Sequence, residues 1–540
     1  MERKGLESQA ADAVQEILAG LRIDPRNVKS VSIHGAAAIR KIGRESKLLV
    51  ILRGSHSLRL HRIRNQIADL IISLGEVEFE KDCLKEELGG AAAGSLLLPY
   101  ISLIGEEFVK KCEVLYKRHI TLESLQNLIL EHRLASPRLL IKSAYFLYDK
   151  LRRLCAVYPL IRPYVKATFG EDPERSLEMS LRGFEKALEQ LVSEGILVQK
   201  SLGRYAPTEK FVHEVLSRIS IYSKVSRELE HVFKLYLTAS LSSPLEAIKD
   251  LSFDLRFLKP VKLPEPSEMI EIETSLGPQP LLVDFGIKEF IEKTYGVKKS
   301  EVKLRKIAGV LNSAYMVEFK MDGSDMKIFV KRYLNWTDFK WVAAWLWAIG
   351  VKNFSLLAPI RMSNEIYFVN KLMELGFDVA EILHVNWPRK IIFQRYIEGK
   401  DLAEVLSSCK SGEEVEEKGV KIGDILGRLH RRGISMGDCN PFSFIFSKDG
   451  KIYLVDLEQC SYDESFSWDI AELLYYTSRY LEAEDVEKFA SGFVKGYLRW
   501  GEPGEIVKAM DLRYARVLAP LTLPWIRSKL KEAVMRAVKK

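Results

Sequence analysis

The sequence predicts a multidomain α+β chain, and three observations carry that expectation. The chain has 540 residues, enough for about three domains of ordinary size. Five prolines (Pro260, Pro264, Pro266, Pro278 and Pro280) crowd residues 258–282, which read as a linker between two halves. Beyond it, Gly433–Cys460 reads as loop, strand, turn and strand, with Asp438 ahead of the first strand and Asp456 ending the second. Lys448-Asp449-Gly450 makes the turn, because Asp-Gly supplies the positive φ that a tight hairpin needs.

Composition narrows the function classes. Lys and Arg number 81 against 73 Asp and Glu, a net charge of +8. This mild excess permits a nucleic-acid or other anionic partner without requiring one. The apolar fraction of 47% is ordinary for a globular protein. Six scattered cysteines with no C-x-x-C pair argue against a zinc site or a disulfide framework and fit free thiols in a reducing compartment. The opening MERKGLESQA lacks the apolar centre of a signal peptide. No apolar run reaches the ~18 residues of a membrane span. The expectation is a cytoplasmic protein with no membrane partner.

In chain order, residues 1–25 carry Ala10, Val14, Ile17, Leu18 and Leu21 at helical spacing. Strands follow at 28–33 and 48–52, joined through Gly35-Ala36-Ala37-Ala38. The stretch SIHGAAAIRKIGRESKLLVIL resembles the nucleotidyltransferase fold, whose Gly-Ser and Asp-x-Asp motifs bind two Mg²⁺. Gly35 stands at the Gly, Ala36 at the Ser, and Glu45 and Lys47 at the two carboxylates. A lysine there repels the ions it should bind, so the resemblance implies a degenerate α/β module. A generic α/β domain is the other reading. Residues 85–170 read as a helical extension rich in Lys and Arg (Lys110, Lys111, Lys117, Arg118, Arg152, Arg153), either a solvated face or a groove for RNA or DNA. The first domain is therefore placed at 1–170.

Residues 171–257 begin with a helix that Ser176 caps and that spaces Leu177, Leu181, Phe184, Leu188 and Leu191 as one face. A strand at 196–200 turns at 201–203 and returns through 204–206. This order resembles a winged helix, which implies a wing carrying Lys200, Arg204 and Lys210. Glu178, Glu185 and Glu189 on the helix favour a protein contact over a nucleic-acid groove.

Residues 283–500 hold the chemistry. Lys303–Lys320 reads as two strands turning at 309–313, and Met326–Tyr333 as a third that carries Lys331 among apolar residues. The stretch after it holds Trp336, Trp341, Trp345 and Trp347, which mark either an extra packed helix or a docking surface. A helix over 364–372 carries Glu365 near its start, with Glu374 as the alternative partner for Lys331. Strands at 382–386 and 390–396 lead to Tyr396-Ile397-Glu398-Gly399-Lys400-Asp401-Leu402, and a helix at 415–430 leads to the loop. Asp469 opens the helix Phe466–Tyr476, with 12 residues between it and Asp456.

Leu426–Cys460, LGRLHRRGISMGDCNPFSFIFSKDGKIYLVDLEQC, and the YIEGKDL stretch together resemble the protein-kinase-like superfamily. The compact atypical Bud32 and RIO kinases are the nearest likeness, and aminoglycoside phosphotransferases stand further off. The resemblance implies a bilobal kinase-like domain binding ATP and Mg²⁺. It puts Gly309 over the phosphates, Lys331 on them with Glu365 as its holder, and Gln394, Tyr396 and Ile397 at the adenine. Asp438 would orient the attacking hydroxyl and take its proton. Asp456 would hold Mg²⁺ with Ser443 or Asn440, Asp469 would hydrogen-bond the loop backbone, and His430 would brace it. Two positions depart from the family: its loop His is Met436, and its Asn is Ser443. The implied function is serine/threonine protein kinase. A pseudokinase scaffold with nucleic-acid- or protein-binding N-terminal modules, and an aminoglycoside-type small-molecule kinase, are the alternatives. Residues 501–540 read as a basic helical stretch (Lys529, Lys531, Arg536, Lys539, Lys540), a solvated face or a contact for RNA or substrate.

Overall fold

The computed structural model describes residues 15–39, 45–62, 68–157, 161–170, 172–218, 261–308, 313–334, 354–519 and 522–539. Gly309, the four tryptophans 336–347, most of the expected first helix and residues 219–257 lie outside them. The chain divides into two compact units, Met1–Glu271 and Ile272–Lys540. Among the described residues no helix is long and apolar enough to cross a membrane.

In the first unit, β1 (Val28–Gly35) and β2 (Ser46–Leu52) pair antiparallel at the middle of a sheet. Both are buried along nearly their whole length, as strands covered on both faces are; β2 carries the apolar run Leu48–Leu52, whereas β1 also buries Ser30, Ser32 and His34. β3 (Arg59–Arg62), β4 (Leu70–Gly75) and β5 (Tyr100–Ile104) complete the order β3-β4-β2-β1-β5. Lys47, in β2, is buried with its ammonium 4.7 Å from the Tyr164 ring centre, and burial lowers its pKa to about 8. Helices α1 (Glu76–Lys85), α2 (Glu106–His132), α3 (Ser143–Val157) and α4 (Arg162–Phe169) follow, with the short strand β6 (Leu139–Lys142) ahead of α3.

Helix α5 (Pro173–Ser193) starts earlier than its apolar face suggests. Asp172, not Ser176, is the cap, accepting from the Arg175 amide. Ser176 lies inside the first turns and donates to the carbonyls of Thr168 and Asp172, so its hydroxyl anchors the helix laterally. β7 (Leu197–Ser201) and β8 (Arg204–Pro207) form a hairpin, β8 also pairs with β6, and α6 (Glu209–Arg218) follows.

The second unit has a small and a large lobe. After α7 (Ile287–Tyr295), strands β9 (Lys303–Ala308), β10 (Ser313–Met321), β11 (Ser324–Arg332), β12 (Ile382–Asn386) and β13 (Ile391–Arg395) form an antiparallel sheet ordered β9-β10-β11-β13-β12. Strand alternation divides β11. Ile328 and Val330 enter a core with Phe290, Val317 and Phe393, while Phe329 and Lys331 face the other way, toward helix α8 (Ala358–Glu374) and the cleft.

The large lobe opens with β14 (Gly399–Asp401), α9 (Leu402–Ser407) and α10 (Gly412–His430), followed by the hairpin β15 (Phe444–Ser447) and β16 (Ile452–Leu454). Helices α11 (Phe466–Thr477), α12 (Ala483–Tyr497), α13 (Pro503–Ala509), α14 (Leu512–Leu518) and α15 (Pro524–Lys539) complete it. Its spine is the α10–α12 pair. Gly419, Gly423 and Gly427 recur every fourth residue on α10 and meet Gly492 and Gly496 on α12, so the backbones touch with no side chain between them. A Cβ at Gly423 would collide with the Phe493 carbonyl, and one at Gly496 with that of Val420. The seam ends where His430 meets the Tyr497 hydroxyl at 2.8 Å, under the loop that carries Asp438.

Gly423→Ala should therefore lower the unfolding free energy by about 1–3 kcal/mol through overpacking. Gly504→Ala, where a Cβ meets nothing within 4 Å, should leave it unchanged or raise it slightly. Urea unfolding of both variants checks the contrast.

Candidate active site

Lys331 is buried, and three carboxylates surround it. Its ammonium lies 2.8 Å from Glu365 Oε2 and 2.9 Å from Glu458 Oε2, and it pairs with Asp456. Burial alone would strip its proton. Asp456, Glu365 and Glu458 outweigh that effect and hold its pKa well above the ordinary lysine value. Glu365 is fixed on both oxygens: Oε2 also accepts from the Tyr333 hydroxyl at 3.0 Å, and Oε1 from Gln394 Nε2 at 3.2 Å. Glu374, the other helical candidate, pairs instead with Lys371.

The cleft beside this cluster has a volume of about 620 Å³. Met316, Phe329 and Ala380 give it an apolar side, and Asp438, Asp456 and Glu404 an acidic one. Tyr396 and Ile397 line its edge just after β13 leaves the sheet. Gln394 also lines the cleft. Its backbone is paired inside the sheet, opposite Phe329 on one side and Ile382 on the other, and its amide serves Glu365.

Asp456 adopts a left-handed backbone (φ 61°), a region where Asp is enriched among residues other than glycine, and its side chain is 45% exposed to the cleft. Asp438 accepts from Asn440 Nδ2 at 2.8 Å. Burial first, then the charge of Asp456, pushes its carboxyl up to about 6. Behind it, Asp469 takes the amides of Met436 (2.6 Å) and Gly437 (2.8 Å) and approaches His430 Nε2 at 3.2 Å. Glu472, one turn further along α11, takes the Cys439 amide at 2.8 Å, and Trp468 donates to the Gly437 carbonyl at 3.0 Å.

Ser443 and Asn440 are not turned toward a shared cation. The Ser443 hydroxyl is buried and donates to the Asp438 carbonyl at 3.2 Å. Asn440 caps the turn that follows it, accepting from the Phe442 amide, while its Nδ2 is given to Asp438. Among the carboxylates on the cleft, Asp438 and Asp456 are hard oxygen donors that suit Mg²⁺, while both oxygens of Glu458 are engaged by Lys331 and Arg361. Glu365, Asp456 and Glu458 each have a ligand atom within 4.8 Å of the others, with Lys331 among them. Glu458 was not a sequence candidate, nor was Arg361, which it also binds at 2.8 Å. The available signal was a charged residue two places after Asp456, and an arginine one helical turn before Glu365.

Comparison with known proteins agrees with this architecture. The profile of the lipopolysaccharide kinase (Kdo/WaaP) family matches residues 329–497. A probable serine/threonine-protein kinase BUD32 homolog of Archaeoglobus fulgidus is 30% identical over 151 residues, 27% of this chain and 71% of the relative. A probable bifunctional tRNA threonylcarbamoyladenosine biosynthesis protein of Methanocaldococcus jannaschii is 24% identical over 159 residues; the match spans only 28% of the length of either protein. The solved structure of the Rio2 kinase–ADP/Mg²⁺–phosphoaspartate complex from Chaetomium thermophilum aligns at 13% identity over 55% of this chain and 86% of that one. Its TM-score of 0.26 is too low to bear on the fold. Through its C-terminal half, the chain belongs to the atypical branch of the protein-kinase-like superfamily.

Asp469→Asn leaves one carbonyl oxygen to serve two loop amides. It should cost about 1–3 kcal/mol for the buried donor left unpaired, read as a lower urea midpoint with unchanged slope.

Proposed function

We propose that this chain is an ATP- and Mg²⁺-dependent atypical serine/threonine protein kinase. The observation that carries the reading is the convergence of Lys331, Glu365, Asp456 and Asp438 on one cleft whose edge is a strand end leaving its sheet. Phosphoryl transfer asks a protein mainly for positioning and charge neutralisation, and these groups supply both. Tyr396 and Ile397 offer backbone groups to the base. Lys331, freed from Asp456, turns to the phosphates while Glu365 and Glu458 keep it charged. Asp438 orients the acceptor hydroxyl and takes its proton. Asp456, with Glu458 behind it, would hold the metal in place of a set completed by Ser443 or Asn440. Bound Mg²⁺ neutralises phosphate charge.

The turned-in Ser443 hydroxyl favours a second reading, a kinase fold kept as a scaffold. In either case the first unit, read as a degenerate nucleotidyltransferase-like module followed by a winged helix, recruits the partner. A protein is the first choice and RNA or DNA the second, in the cytoplasm.

Thermal unfolding with nucleotide separates the two. ATP with Mg²⁺ at about 100 times its dissociation constant should stabilise the protein by roughly 2.7 kcal/mol, and Asp456→Ala should abolish the metal-dependent part. No shift with any nucleotide leaves the scaffold reading. If Asp438 is the base, it must be ionised to work. Since its carboxyl titrates near pH 6, kcat/KM should fall as pH drops through that value, and Asp438→Asn should lose about 10²–10⁴-fold in rate while still binding ATP.

A further inference from the structure

The Lys331–Glu365 pair explains where the ammonium sits, but not what holds Asp456. That residue follows a strand of three residues, and its half-exposed carboxylate has Lys331 as its ion-pair partner. Its place is therefore set by its neighbours. The next residues but one are bolted to helix α8 and to the chain ahead of it. Glu458 is buried, and its carboxylate bridges Arg361 Nη1 (2.8 Å) and Lys331 (2.9 Å). Its carbonyl accepts from Asn364 Nδ2 at 3.2 Å. The Gln459 amide exchanges two hydrogen bonds with the Ser355 backbone, at 2.9 and 3.1 Å.

Arg361 is the common member. It is wholly buried on α8, one turn before Glu365. Its second guanidinium nitrogen donates to the Leu334 carbonyl, just beyond the strand that carries Lys331. Its guanidinium lies 5.9 Å from the centre of the Tyr333 ring, whose hydroxyl holds Glu365. One side chain thus touches the pieces that carry Lys331, Glu365 and Asp456. A buried ion pair is an expensive way to gain stability, because both charges lose their water. An outward swing of α8 would strand both.

We infer that Arg361 and Glu458 are positioning residues, a clamp that holds the Asp456 segment against α8 and so sets the metal-dependent part of nucleotide binding. The inference rests on the nucleotide-binding reading above. The clamp makes the site assembled at rest. The 12 residues between Asp456 and Asp469 leave little chain for a switch that would assemble it.

The test is calorimetric binding of ADP to the full chain, with Mg²⁺ and with EDTA. Arg361→Met, Arg361→Lys and Glu458→Gln are compared with the wild type after circular dichroism shows that each is folded. Arg361→Met should bind ADP in EDTA within about twofold of the wild type but lose at least tenfold of the affinity that Mg²⁺ adds. Arg361→Lys should recover most of that loss, and Glu458→Gln should share it. A pair with only a structural role lowers the melting temperature and leaves the Mg²⁺ increment intact. That result in a folded Arg361→Met, or in Glu458→Gln if Arg361→Met does not fold, overturns the clamp and leaves the kinase reading standing. A wild type that binds no ADP in either buffer overturns both.

Discussion

A buried ammonium cannot be left alone, and much of the second unit answers that constraint at Lys331. Removing a charge from water costs more than any one contact returns unless opposite charge and hydrogen bonds replace the lost solvent. Here three carboxylates do so, drawn from a helix and from the segment after the hairpin. Two of them are tied in turn: Glu365 to Tyr333 and Gln394, Glu458 to Arg361. Charge balance at one strand position thus fixes the relation of sheet, helix and hairpin. Lys47 in the first unit shows the other solution. It lies over an aromatic ring, and its proton affinity drops.

What the sequence made legible were the groups whose local pattern is distinctive. Asp438 and Asp456 bracket a hairpin with an Asp-Gly turn, Lys331 ends an alternating strand, and Glu365 lies on a helix of clear period. Reading their shared location rested on resemblance, because contacts between residues 331, 365 and 456 depend on tertiary packing that no local period encodes. Arg361 and Glu458 were missed for the same reason, being nearly a hundred positions apart. Gln394 lines the cleft but its backbone stays in the sheet, a distinction the sequence does not make because strand ends are the least certain boundary. The Asp172 cap was passed over for Ser176, since both residue types suit that role and only the helix's actual start distinguishes them.

Asp438 and its loop show how polar groups beneath a cleft are handled. Backbone amides of Met436, Gly437 and Cys439 would be orphaned there without Asp469 and Glu472. Both carboxylates come from the same face of α11, one turn apart, so a single helix presents the loop to the cleft.

The glycine seam between α10 and α12 was written in the sequence as GVKIGDILG, yet its meaning was hidden. Glycine inside a helix weakens it by roughly 0.5–1 kcal/mol relative to alanine, and three at four-residue intervals make sense only where another backbone arrives. Ordinary helix pairs have side chains between them that can re-pack and absorb small slips. Along the glycines this pair brings backbone against backbone, so it behaves like a dovetail joint: it resists easing by a fraction of a turn, and the next matching register lies a full pitch of about 5.4 Å away. Whatever flexing the cleft undergoes must be taken up on the small-lobe side, because the floor beneath Asp438 has no slack to give.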